Sequence, residues 1–324
     1  MRDFITRILP TGSLCVILCI GVLSASTSPR PVESVLPAQQ SAPETTVSVS
    51  MLVSVEAKHS KDVPVVTKED VRVFQGKKRL QVANWVPLQG NQAALELLLL
   101  IDDASSMRVA TQLDDFRQFM NAQPGTTAIA VGYMQNGSAR IVQNFTKEHS
   151  QAEKALRMPL GAEVGETSPF FAVTDAIKHW PEDNARHELI LISDGVDPLQ
   201  PGGTDSYLDE AIERAQQAGT QIYAIYASHA GHFGHTLWRI NQGQSNLSRL
   251  TDETGGEAYF EGLETPIAFA PFLSEIADRL NHQYRLTFLA APSKKPNFQH
   301  VKLETEVQNA ELVAASKVYI PAAK

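Results

Sequence analysis

Thiols are almost missing from this chain of 324 residues, whose two cysteines, Cys15 and Cys19, both lie close to its start. Neither follows the residues expected of a lipoprotein acceptor site. If that stretch is removed, no disulfide and no thiolate ligand remain, and stability must come from packing alone. Clustered positive charge is also scarce. Lys and Arg number 28 against 36 Asp and Glu, a net charge of -8, and the densest basic run, Lys77-Lys78-Arg79, reads as a solvated turn. This excludes nucleic acid as a partner, because phosphate backbones are held by grouped Lys and Arg. The common catalytic signatures are missing too. There is no Gly-x-Ser-x-Gly nucleophile elbow, no Gly-rich phosphate loop with its Lys, and no dinucleotide fingerprint.

The N-terminus reads as a targeting segment. Arg2 and Arg7 give a basic start, Ile8 to Leu23 is mostly apolar but carries Pro10 and Gly12, and Ser24-Ala25-Ser26 offers a cleavage site. The apolar part is short for a membrane span. The expectation is a signal peptide over 1–26 and a secreted or periplasmic protein, with an uncleaved membrane anchor as the alternative. Loss of Arg2, Asp3 and Arg7 would take the net charge from -8 to -9. Residues 27–46, rich in Ser, Pro, Ala and Gln, read as a flexible linker.

What is present is a large apolar complement, 43% of residues, enough for about two domains. The organising stretch is Ala93 to Met107, AALELLLLIDDASSM. Leu95 to Ile101 is an almost unbroken apolar run of strand length, the pattern of a central parallel strand covered on both faces. Asp102, Asp103, Ser105 and Ser106 follow at its carboxyl end, where open α/β sheets bind ligands. A second buried run, His187 to Ser193, ends likewise in Asp194-Gly195. Between them lies the loop Gly165-Glu166-Thr167-Ser168-Pro169.

That order resembles the von Willebrand factor A (VWA) family: Asp-x-Ser-x-Ser, then Thr in a Gly-containing loop, then Asp-Gly after a strand. It is the arrangement of that family's metal-ion-dependent adhesion site. Asp102, Ser106, Thr167 and Asp194 fall on the motif, with Ser168 as a neighbouring candidate, while Ala104 stands at the first serine. The resemblance covers roughly Ala94 to Arg279. It implies a doubly wound, mostly parallel α/β sheet and a non-enzymatic protein-interaction or adhesion module. It also implies a hard cation, magnesium or calcium, held by oxygens and recognising a carboxylate on a protein partner. Ala104 removes one ligand, a vacancy that water, Asp103 or Ser105 would have to fill. Two alternatives stand beside this: a structural scaffold with a dead metal site, and a metal-dependent phosphohydrolase with Asp102 as nucleophile or ligand.

The flanks read as β. Val47 to Val55 alternates with polar residues, and Val71 to Phe74 with Leu80 to Trp85 gives a hairpin. After the α/β part, Tyr284 to Leu289, Val301 to Val307 and Leu312 to Ile320 are strand-like. Neither flank can close a core alone. The economical division is 47–90 and 283–324 as two parts of one small β-sandwich, with a VWA domain, 91–282, inserted between them. Within the insert, helices are expected around Leu113 to Met120, over Lys147 to Met158, Pro169 to Trp180 and Leu247 to Thr254, and Asn136-Gly137 marks a tight hairpin. His229, His232 and His235 have metal-like spacing but read as an exposed loop, Glu166 as a solvated loop residue, and Trp180 and Trp238 as helix-packing aromatics.

Overall fold

The computed structural model describes residues 46–60, 62–164, 168–181, 185–199, 205–230 and 236–322. The segment read as a signal peptide, the linker up to residue 45, and Glu166, Thr167, His232 and His235 lie outside the described residues. No helix among the described residues is long and apolar enough to cross a membrane.

Because Leu95 to Ile101 is apolar on both sides, it forms the centre of a sheet. Strand β4 (Leu95–Asp102) is buried along its whole length. It pairs in parallel with β5 (Thr127–Gln135) on one side and β7 (Arg186–Ser193) on the other. β8 (Gln221–Tyr226) and β9 (Ala258–Tyr259) continue beyond β7 in parallel, while β6 (Ser138–Thr146) closes the other edge antiparallel. The order is β6-β5-β4-β7-β8-β9, so the direction of winding reverses between β4 and β7. The β5–β6 turn is Asn136-Gly137 at φ 50° and 73°, the left-handed pair that such a hairpin demands.

Alternation along β4 sorts the core. Leu97, Leu99 and Ile101 meet α1 (Leu113–Ala122), α2 (His149–Lys154) and α6 (Ala270–Asn281). Leu98 and Leu100 meet α3 (Pro169–Lys178), α4 (Ser206–Ala218) and α5 (Leu237–Thr254). Three helices therefore cover each face, as a sheet apolar on both sides requires.

Two helices depart from expectation. The one expected over Lys147 to Met158 stops at Lys154, and residues 155–160 run as a loop past the tip of β4. The one expected from Leu247 begins at Leu237, ten residues earlier, because Ile240, Gly243, Leu247 and Leu250 form one buried stripe. Trp180 packs as expected, stacked on His187 and donating to Glu96 Oε2 at 2.7 Å. Trp238 does not, for it is 64% exposed.

Both ends of the chain build the second sheet, ordered β12-β2-β3-β10-β1-β13. Its strands are β1 (Val47–Ala57), β2 (Val71–Gln75), β3 (Lys78–Pro87), β10 (Gln283–Ala290), β12 (Lys302–Thr305) and β13 (Ala310–Ala314). β10 lies between β1 and β3, antiparallel to both. β12 and β13 are joined by a short turn yet occupy opposite ends of the order, so the sheet must curl until its edges approach. The single last strand expected over Leu312 to Ile320 is two. After Ala314 the chain turns, and β14 (Lys317–Ile320) pairs with β11 (Asn297–His300) as a separate ladder, whose Val318 and Ile320 enter the same core.

A buried polar network joins this sheet to the base of the parallel one. Gln283, at the start of β10, donates to Gln221 Oε1 at 2.7 Å, and Arg186 donates to Leu280 O at 2.7 Å and to Gln283. Glu188 sits beside them with no exposure. Burial, only partly opposed by Arg186 and by the neighbouring Gln283 amide, pushes its carboxyl up to about 8.

Candidate functional site

The sheet brings two of the expected acids together. β4 and β7 run in register up to Ile101 opposite Ile192, which sets Asp102 beside Ser193 and leaves Asp194 just beyond. Ser193 Oγ donates to Asp102 Oδ2 at 3.3 Å, and Asp102 Oδ1 accepts the Ala104 N–H at 3.0 Å. Asp194 accepts the Val196 N–H at 2.9 Å. Burial first, and the Asp102 charge second, push the Asp194 carboxyl up to about 7. The loop is held by close packing. Gly195 has φ 71°, and a methyl there would lie 2.3 Å from the Gly243 carbonyl oxygen of α5, so only glycine lets the helix approach.

Ser106 faces a different set of partners. Its Oγ lies 3.4 Å from both Thr265 Oγ1 and Ser228 Oγ, and those two are 2.9 Å apart. Three hydroxyls thus satisfy one another above the end of β8. Ser168 caps α3, accepting the Phe171 N–H at 3.2 Å, and donates to Asp197 Oδ2 at 2.7 Å. It is engaged by its own helix and by Asp197.

Asp103 is committed to the opposite face of the sheet. It has no exposure and takes both arms of the Arg157 guanidinium at 2.6 Å, a bond from Gln135 Nε2 and the Leu160 N–H at 3.0 Å. Burial alone would raise its carboxyl; these donors outweigh burial and hold it below the usual carboxylate range. Sequence reasoning missed Arg157, Gln135 and Tyr133, because nothing local to residue 103 points to partners 54 and 32 positions away. Ala104, 1% exposed, is roofed over. Ala230 N donates to its carbonyl at 2.9 Å and Gly161 N to Asp103 O at 2.8 Å. Ser105 forms a bridge with His229, so that histidine belongs to the roof rather than to a free loop. Ser105 Oγ is buried without a partner.

The fit to a hard cation follows from these contacts. Such an ion takes about six oxygens. Among the described residues the motif offers two carboxylates, already accepting protein donors, and one hydroxyl, turned toward two others. Asp103 cannot fill the vacancy at Ala104 without abandoning the paired Arg157 guanidinium. On their own the described residues of the motif supply fewer oxygens than such an ion takes, and Thr167 lies outside them.

The strand order, with its one antiparallel edge strand and an acid at the tip of each central strand, matches the expected architecture. The α/β domain is a doubly wound, mostly parallel sheet covered by helices on both faces. Solved structures similar to the chain include an aerotolerance-related membrane protein from Bacteroides fragilis, 13% identical, with 58% of this chain and 98% of that one covered and a TM-score of 0.41. BatB from Bacteroides thetaiotaomicron is 15% identical over 57% and 97%, with a TM-score of 0.42. The ArnB paralog VWA2 from Sulfolobus acidocaldarius is 9% identical over 85% and 76%, with a TM-score of 0.38. No family model matches the chain, and no curated protein sequence does.

One further feature belongs to the same end of the α/β domain. Of the thirteen large apolar side chains that are exposed among the described residues, ten lie along the carboxyl rim of the parallel sheet. Met107 follows β4, Met158 and Leu160 precede α3, Phe171 opens α3, and Leu199 follows β7. Leu237 and Trp238 form the first turn of α5, and Phe260, Leu263 and Ile267 follow β9, Ile267 being 90% exposed.

Proposed function

We propose that this protein is a non-enzymatic protein-interaction module, exported from the cytoplasm, that binds through the carboxyl rim of its VWA-like domain without a resident divalent ion. The observation that carries the reading is the gathering of exposed apolar side chains at that rim. Apolar side chains scattered singly need no explanation, whereas a concentration at one end, rimmed by polar groups, is the mark of an interaction face. The partner is accordingly a protein presenting an apolar patch, not one recognised by a carboxylate on a metal. Asp102, 4% exposed and accepting two protein donors, is not presented to a phosphate ester, which argues against hydrolysis.

The test combines two measurements. Calorimetric titration with magnesium and with calcium should give no binding heat for wild type or Asp194→Ala. Covalent capture of partners should survive EDTA and survive Val65→Lys, which lies off the rim, yet be lost when Leu237 and Trp238 are both changed to Glu. Capture that disappears in EDTA, or that ignores charges placed on the rim, would reject the reading.

A further inference from the structure

We propose that Arg157 is the resident cation of the rim, and that its pairing with Asp103, in place of a divalent ion, fixes the loops that present the apolar side chains. The inference rests on the rim being the interaction face. An unexposed carboxylate at a strand tip is costly unless charge and hydrogen bonds both meet it. Asp103 receives both from Arg157 through a two-pronged contact, 2.6 Å on each arm, which the planar guanidinium makes and a lysine cannot.

Arg157 is itself held from three sides. Its guanidinium carbon lies 3.9 Å from the centre of the Tyr133 ring. The Tyr133 hydroxyl accepts the Arg157 N–H at 2.7 Å and donates to the Arg157 carbonyl at 2.9 Å. Nη1 also donates to Met158 O at 2.9 Å. Leu160 N and Gly161 N close on Asp103 Oδ1 and O at 3.0 and 2.8 Å. The whole stretch from Arg157 to Gly161 is therefore fastened to Asp103, the residue after β4, and Met158 and Leu160, 54% and 49% exposed, ride on it. A bound ion draws loops together only while its concentration exceeds its dissociation constant. A guanidinium in the chain does so at all times, and the stretch carrying Met158 and Leu160 is set without an ion.

Trypsin cleavage after residue 157 in the whole folded chain, located by mass spectrometry, tests this without any partner, so a failure of capture and a failure of the latch are separate results. Wild type should resist cleavage there equally in EDTA and in magnesium. Asp103→Asn, which keeps the shape and removes the charge, should be cut at least about tenfold faster through local opening. Arg157→Lys keeps the charge and the cleavage site but loses the fork, and should fall between them. Amide exchange at Leu160 and Gly161 in wild type gives the same answer should Asp103→Asn not fold: protection must be equal with and without chelator. Cleavage at one rate in wild type and both variants, or wild-type cleavage that quickens on chelation, overturns the proposal.

Discussion

Glu188 offers a quantitative check on the junction between the two sheets. Its carboxyl is fully buried and is pushed up to about 8 from 4.5. An acid whose folded value lies above its unfolded value is bound to its proton more tightly in the native state. Its contribution is complete below the unfolded value and is lost as pH rises through the interval up to the folded one. Each pH unit inside that interval costs about 1.4 kcal/mol, so between pH 5 and 7.5 the wild type should lose roughly 3 kcal/mol through this group alone. Other carboxylates also titrate there, so the informative quantity is a difference. Glu188→Gln keeps the size and removes the titration. Urea unfolding of both proteins across that range should show Glu188→Gln gaining about 3 kcal/mol relative to wild type as pH rises. Parallel stability curves would refute the reasoning, since they would mean that Glu188 titrates alike in both states.

Four further outcomes follow from the same contacts. Gly195→Ala must place a methyl 2.3 Å from the Gly243 carbonyl oxygen at a positive φ, and should cost about 3 kcal/mol or more in urea unfolding. Arg279→Met strips the guanidinium that meets Glu56, Glu257 and Glu275; the loss should be about 3 kcal/mol or more near neutral pH and shrink in acid as those carboxylates protonate. Trp238→Ser, at a side chain 64% exposed, should shift stability by no more than about 0.5 kcal/mol while lowering partner capture. Cutting the chain within residues 88–92 should release no folded N-terminal piece, because β10 separates β1 from β3; a soluble, cooperatively unfolding fragment would contradict the shared sheet.

How much of this architecture is legible in the sequence depends on how local the cause is. β4, β7 and β8 are readable because a strand buried on both faces is apolar throughout, and the β5–β6 hairpin because Asn-Gly tolerates left-handed backbone. The start of α5 is not readable. Leu237 and Trp238 stand exposed and give no amphipathic signal, while Thr236 caps the helix by accepting the Arg239 N–H at 3.3 Å. The division of the last strand is hidden for another reason. Gly255 presses on Ala314 and Ala315, and Ser316 N reaches Glu253 O at 3.2 Å, so the break is imposed by a helix end some sixty residues earlier in the chain.

At the candidate site, alternation along β4 decides what the motif leaves open. Successive side chains of a strand point to opposite faces. Leu98 and Leu100 enter one core of β4 and Leu97, Leu99 and Ile101 the other, so adjacent acids at its end serve opposite sides of the sheet. Asp102 follows Leu98 and Leu100 and meets Ser193; Asp103 follows Ile101 and meets the Tyr133 side. Asp103 is engaged on the face away from Asp102, and a carboxylate that stays ionised while buried there needs donors and positive charge around it. In this fold that charge comes from beyond β5, where the length from Gln135 to the start of α3 carries Arg140, Lys147, Lys154 and Arg157. Of these, Arg157 alone combines a forked cation with a position after α2 has climbed back to the strand tips.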